Sequence, residues 1–114
     1  MLNQSVIFFK QISEAFTIGE TEFMSAHSID DIQWNIIGRE LIHGKNELVK
    51  TIKKLKFNKA ADLEYFYFIT HGNKASINGT MSIGAKKYSF CHVYELNKFK
   101  NGKIKTITSY IIQT

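Results

Sequence analysis

The stretch Ile29-Asp30-Asp31-Ile32-Gln33-Trp34-Asn35-Ile36-Ile37-Gly38-Arg39-Glu40-Leu41-Ile42-His43-Gly44 decides the fold of this chain. Ile32, Trp34 and Ile36 alternate with polar neighbours, the pattern of a strand that buries one face. Gly38 interrupts it, and a second extended stretch runs on to Gly44, so the segment reads as a short hairpin. Asp30 and Asp31, just ahead, read as turn residues, because Asp side chains bond readily to nearby backbone.

Upstream of the hairpin, Leu2, Val6, Phe9 and Phe16, joined by Phe8 and Ile12, recur at helical spacing. They predict a buried helix from Leu2 to Ile18, which Gly19 is placed to end. A second short helix is expected from Glu20 to about His27, with Phe23 and Met24 inward. Downstream, Leu48, Val49, Ile52 and Leu55 form one stripe and lysines the other between Gly44 and Phe57, which predicts a third helix, Lys45 to Lys56, lying across a sheet. Extended segments follow at about Asp62 to His71, Lys74 to Ile83, Lys87 to Phe99 and Lys103 to Gln113. Gly72-Asn73, Gly84-Ala85 and Asn101-Gly102 separate them, and the Asn-Gly pair predicts a tight hairpin turn. Four consecutive strands on short loops imply an antiparallel meander.

The chain has 114 residues, 44% of them hydrophobic and 13% aromatic, enough for one domain, 1–114, with a core of its own. It has no Pro, no low-complexity run and no repeat. Cys91 is the one cysteine, so packing rather than a disulfide must hold the fold, as expected in a reducing compartment. The start lacks the basic residues and continuous apolar run of a secretory signal, and no segment reaches the length of a membrane span. A cytoplasmic protein with no membrane partner is expected. The net charge of +5 comes with two lysine clusters, one around the third helix and one at Lys98, Lys100, Lys103 and Lys105. Without a helix-turn-helix or ribonucleoprotein aromatic signature these read as solvated surface, and no nucleic-acid partner is expected.

Taken in order, Gly19, Asp30-Asp31, Trp34-Asn35-Ile36-Ile37-Gly38, His43-Gly44-Lys45 and the ending Gly102-Lys103-Ile104-Lys105-Thr106-Ile107-Thr108-Ser109-Tyr110 resemble the nuclear transport factor 2-like (NTF2-like) superfamily, in its SnoaL-like and ketosteroid-isomerase-like branch. The resemblance spans almost the whole chain. It implies an α+β fold, a cone in which a curved antiparallel sheet wraps the N-terminal helix, with three helices in total, and it implies a homodimer. In the ketosteroid isomerases of that branch a tyrosine and an acid stabilise an oxyanion while an aspartate shuttles the proton. By the family's spacing those positions fall on Ile12, His92 and Ile36. An aliphatic side chain can neither take a proton from carbon nor polarise a carbonyl, so the isomerase constellation is absent.

His92 is the one titratable group left at these positions and is the candidate acid–base residue. Strand alternation puts Phe90, Tyr94 and Leu96 on its face and Cys91, Val93 and Glu95 on the other, so Cys91 and His92 form no nucleophile dyad. The expected ligand-binding set is Ile12, Trp34, Ile36, Phe90, His92, Tyr94, Ile107 and Ser109. The four histidines lie on separate elements without ligand spacing, and no phosphate-binding glycine loop occurs, so neither a metal nor a cofactor is expected. The reading is a homodimeric domain whose mainly apolar pocket takes a small apolar or aromatic molecule. The alternative is a SnoaL-like isomerase or lyase working through His92, helped by Tyr94, Ser109 or His71.

Overall fold

A computed structural model describes residues 4–55 and 59–114. Leu2, at the start of the expected first helix, and Lys56 and Phe57, at the end of the third, lie outside the described residues. The elements run α1 (Gln4–Ile18), α2 (Thr21–Ala26), β1 (Ser28–Ile36), β2 (Glu40–His43), α3 (Lys45–Leu55), β3 (Ala60–His71), β4 (Lys74–Ile83), β5 (Lys86–Leu96) and β6 (Ile104–Gln113). The six strands form one curved, open sheet in the order β2-β1-β6-β5-β4-β3.

Helix α1 ends where Gly19 turns left-handed, at φ 78°. Gly19 N–H then bonds to Phe16 O and Glu20 N–H to Ala15 O, which closes the last turn in a Schellman motif. Phe9, Ile12, Ala15 and Phe16 line one side of α1 and are buried on the concave side of the sheet. In α3 the expected stripe also holds: Leu48 and Ile52 are buried, and Val49 and Leu55 half-buried, while Lys50, Lys53 and Lys54 face water. The positive charges near the end of α3 and Glu47 in its first turn both suit the helix dipole.

Strands β3 to β6 are the expected antiparallel meander, each paired with the next. Its curvature has a local cause. Strand β3 shifts register between Ala61 and Glu64 and again between Tyr65 and Tyr67. A Cβ on Gly79 of β4 would collide with the Glu64 carbonyl, so the two backbones meet there only because position 79 has no side chain.

Three expectations are corrected. The sheet is not wholly antiparallel: β1 and β6 run parallel, with Trp34 opposite Ile107 and Ile36 opposite Ser109. Asp30 and Asp31 are not in a turn before the first strand but inside β1, which already starts at Ser28. Between Ser28 and Gln33 the β1–β6 register shifts, so both carboxylates turn outward in a bulged stretch, and Asp30 meets Lys45 Nζ at 3.4 Å. Finally, Asn101-Gly102 makes no two-residue turn. Strand β5 stops at Leu96, short of Phe99, and a longer connection, 97–103, leads to β6. Asn97 holds it closed, its N–H donating to Lys103 O and its side-chain Oδ1 accepting from Lys103 N–H, both at 2.9 Å.

Candidate functional site

The eight residues expected to bind a ligand all point to the concave side, and all are between 0% and 3% exposed. Alternation places them: Trp34 and Ile36 lie on β1, Phe90, His92 and Tyr94 on β5, and Ile107 and Ser109 on β6. Ile12 meets them from α1. The pairing of His92 with Ser109 across β5–β6, and of Ile36 with Ser109 across the parallel joint, draws three strands onto one point.

That point is the Ser109 hydroxyl. Trp34 Nε1–H donates to Ser109 Oγ at 2.8 Å, and Ser109 Oγ lies 2.7 Å from His92 Nδ1. The serine has one proton to give; donating it to Nδ1 uses every group and leaves the imidazole proton on Nε2. Phe16 of α1 closes over the cluster, its ring 5.0 Å from Trp34 and 4.8 Å from His92, edge-on to both. Phe90 stacks on the imidazole at 5.0 Å. Burial among these rings lowers the His92 pKa to about 3, so the imidazole is neutral.

Tyr94 completes the group with an unusual feature. Its side chain is fully buried, and its hydroxyl finds no hydrogen-bond partner among the described residues. Ser13 is near enough to ease the phenol's ionisation; its Oγ donates to Phe9 O at 2.9 Å and keeps its lone pairs, but it lies outside hydrogen-bonding geometry with the Tyr94 hydroxyl. Burial dominates and pushes the Tyr94 phenol well above its ordinary range, so it remains a proton donor.

The other candidates stay apart from this cluster. Cys91 points to the opposite sheet face, where its thiol meets Ser76 Oγ at 3.7 Å. His71 is exposed at the end of β3, and His43 is exposed on β2. His27 packs between Phe8 and Phe23, with ring centroids 5.3 Å and 4.3 Å away. Among the described residues no three His, Cys, Asp or Glu side chains come together in a way that could hold a metal ion. No helix among them is long and apolar enough to cross a membrane.

Two open concavities lie elsewhere. One, of about 910 Å³, runs between α1 and the β5–β6 connection. Ile7, Phe8 and Gln11 form its helical wall; Leu96, Phe99, Lys100 and Lys103 form the other. The second, of about 370 Å³, is a groove on the outer sheet face between Tyr67 and Ile69 on one side and Tyr110 and Ile112 on the other. Of the eight expected ligand-binding residues, Phe90 borders this outer groove and the other seven border neither concavity. The groove beside α1 was missed at the sequence level because Phe99 read as the end of a strand and its neighbouring lysines as plain surface charge. An aromatic residue between two lysines, in Lys98-Phe99-Lys100, was the available signal.

Comparison with solved structures finds the same architecture repeatedly. An NTF2-like protein of unknown function from Cytophaga hutchinsonii shares 31% identity over 91% of this chain and 96% of its own, with a TM-score of 0.74. A candidate ketosteroid isomerase from Kribbella flavida superposes at TM-score 0.79 with 12% identity, over 97% of this chain and 79% of its own. A Mycobacterium tuberculosis epoxide hydrolase of the LEH-like type superposes at TM-score 0.71 with 15% identity, covering 94% and 81%. The last two likenesses concern the fold alone. No protein-family model matches the chain, nor does any curated protein.

Proposed function

This chain belongs to the NTF2-like superfamily, and we propose that it is a homodimeric, small-molecule-binding member that lacks ketosteroid isomerase chemistry. The observation that carries the reading is the Tyr94 hydroxyl. A buried donor without a partner costs about 1–3 kcal/mol, a cost that a polar atom on a bound ligand would offset. It stands beside the neutral His92 imidazole on the concave face, next to Phe16 and Ile107, in a layer so closely packed that an apolar or aromatic ligand with one hydrogen-bonding group reaches it only if α1 moves away from the sheet. The free, half-buried Cys91 fits a reducing, cytoplasmic setting.

Ile12 and Ile36 are buried at 0% and 1% exposure, with no acid at either position. The purified protein should therefore not turn over a β,γ-unsaturated ketosteroid at an enzymatic rate. For the binding reading, native mass spectrometry of gently purified protein should find a small-molecule adduct, and Tyr94→Phe should lose it while gaining roughly 1 kcal/mol of stability in the empty state. Protein that carries no adduct and gains no thermal stability from a panel of aromatic small molecules would sink the proposal.

One observation favours a second reading, a lyase or isomerase built around His92: the 2.7 Å contact between His92 and Ser109, which orients the imidazole. The depressed pKa counts against it, because an imidazole whose conjugate acid ionises near pH 3 is a weak base at neutral pH. Under this reading, any turnover found in the wild type should vanish in a folded His92→Gln protein.

A further inference from the structure

The groove beside α1 combines three features that the interior cluster does not explain. Its floor is apolar and open: Ile7 is 45% exposed and Phe99 70%, next to half-buried Phe8. Its rim carries Lys100 and Lys103, no residue lining it is acidic, and neither lysine forms an ion pair with a described residue. The first turn of α1 likewise contributes no acid.

The third feature is rigidity. The connection that presents the lysines is tied at both ends, by Asn97 to Lys103 and by Asn73 Nδ2, which donates to Leu96 O at 2.9 Å. Gly102 is pressed against the connection itself, where a Cβ would stand 2.6 Å from the Lys98 carbonyl oxygen. The backbone that carries the two lysines is thus fixed beside an apolar surface before anything binds, so that only the lysine side chains remain to be ordered.

We propose that this groove is a second ligand site, for a free aromatic carboxylate whose planar body lies on Phe8 and Phe99 and whose acid group sits between Lys100 and Lys103. The flat rings of Phe8 and Phe99 favour a planar body, and paired ammonium groups favour a single anionic head. Two cations over so short a groove are too few to track a nucleic-acid backbone. The site is independent of the Tyr94 cluster, since none of that cluster's residues borders it.

The test is calorimetric titration of the full chain with 2-naphthoate, with the neutral isostere 2-naphthamide as control. Wild type should bind the acid saturably, with Kd below roughly 1 mM. The amide, and the acid titrated into a Lys100→Gln/Lys103→Gln double variant, should each bind at least about tenfold more weakly. Phe99→Ala should weaken the acid with both lysines intact. Tyr94→Phe should leave it unchanged, which separates failure here from failure of the interior site. No saturable binding, equal affinity for the amide, or full affinity in the double variant overturns the proposal. So does binding of a single-stranded oligonucleotide or of anionic vesicles by a protein that ignores 2-naphthoate.

Discussion

Ser109 gives one hydroxyl to two heterocycles, and that economy has a measurable consequence at His92. With its folded pKa lowered to about 3 by burial and the unfolded value near 6.5, His92 takes up a proton on unfolding at any pH between the two. The unfolded chain then binds more protons than the folded one, so stability rises with pH across this window, is fully present above about 6.5, and is lost as pH falls toward 3. Lowering pH from 7 to 5 should cost roughly 2 kcal/mol through this residue alone. Urea denaturation followed by the fluorescence of Trp34, the one tryptophan, should show that slope, and His92→Gln should flatten it. Equal slopes in both proteins would mean that the imidazole is charged in the folded state or opens freely to water. Alternation along β1, β5 and β6 was enough to put Trp34, His92 and Ser109 on one face from sequence. Their hydrogen bonds, and Phe16 closing over them, depend on the distance between α1 and the sheet, which no local pattern encodes.

Between elements, backbone proximity decides the curvature that makes a concave face at all. Strands β3 and β4 close onto each other at Gly79, beside a double register shift in β3. Gly79→Ala forces a methyl group into the Glu64 carbonyl, and since a backbone oxygen cannot swing aside, the strands must part. A loss of about 1–3 kcal/mol is expected, as for overpacking elsewhere. Phe90, whose ring lies 3.1 Å from the same Cβ position, should shift with it, so its ring signals report the change by NMR. An alanine variant as stable as wild type would show that another feature bends the sheet. The same scale explains which elements were legible. Helices α1 and α3 and the limits of β4 follow from periodicity and glycine punctuation. The parallel joint of β1 with β6 does not, because it pairs segments some 70 residues apart, Trp34 with Ile107, for which sequence offers no neighbour signal. Asp30-Asp31 and Asn101-Gly102 misled for a related reason: each has turn chemistry, but the bulge in β1 and the Asn97 clamp used it differently.

Across the whole molecule, the outer sheet face is the surface left without cover. Register places Tyr67, Asn78, Cys91 and Tyr110 in one row over four strands, with Ile69, Ser76, Val93 and Thr108 in the next. The relief is two ridges and a trough: Tyr67 and Ile69 at 68% and 63% exposure, Tyr110 and Ile112 at 45% and 64%, and the small side chains of Ser76, Asn78 and Ser89 between. In a two-fold pairing each ridge of one copy would enter the trough of the other, the arrangement an isologous interface requires. A stable pairing buries about 800 Å² on each partner, and exposed apolar residues on this scale mark association surfaces. Light scattering at micromolar concentration should therefore give twice the 13.1 kDa chain mass. Ile69→Asp with Ile112→Asp puts charges into a desolvated contact without touching the buried core, and should weaken association at least about a hundredfold while leaving Trp34 emission unchanged. A monomeric wild type would refute the pairing. A dimer that tolerates both aspartates would move the interface off this face, leaving the trough over Ser76 and Cys91 for some other partner.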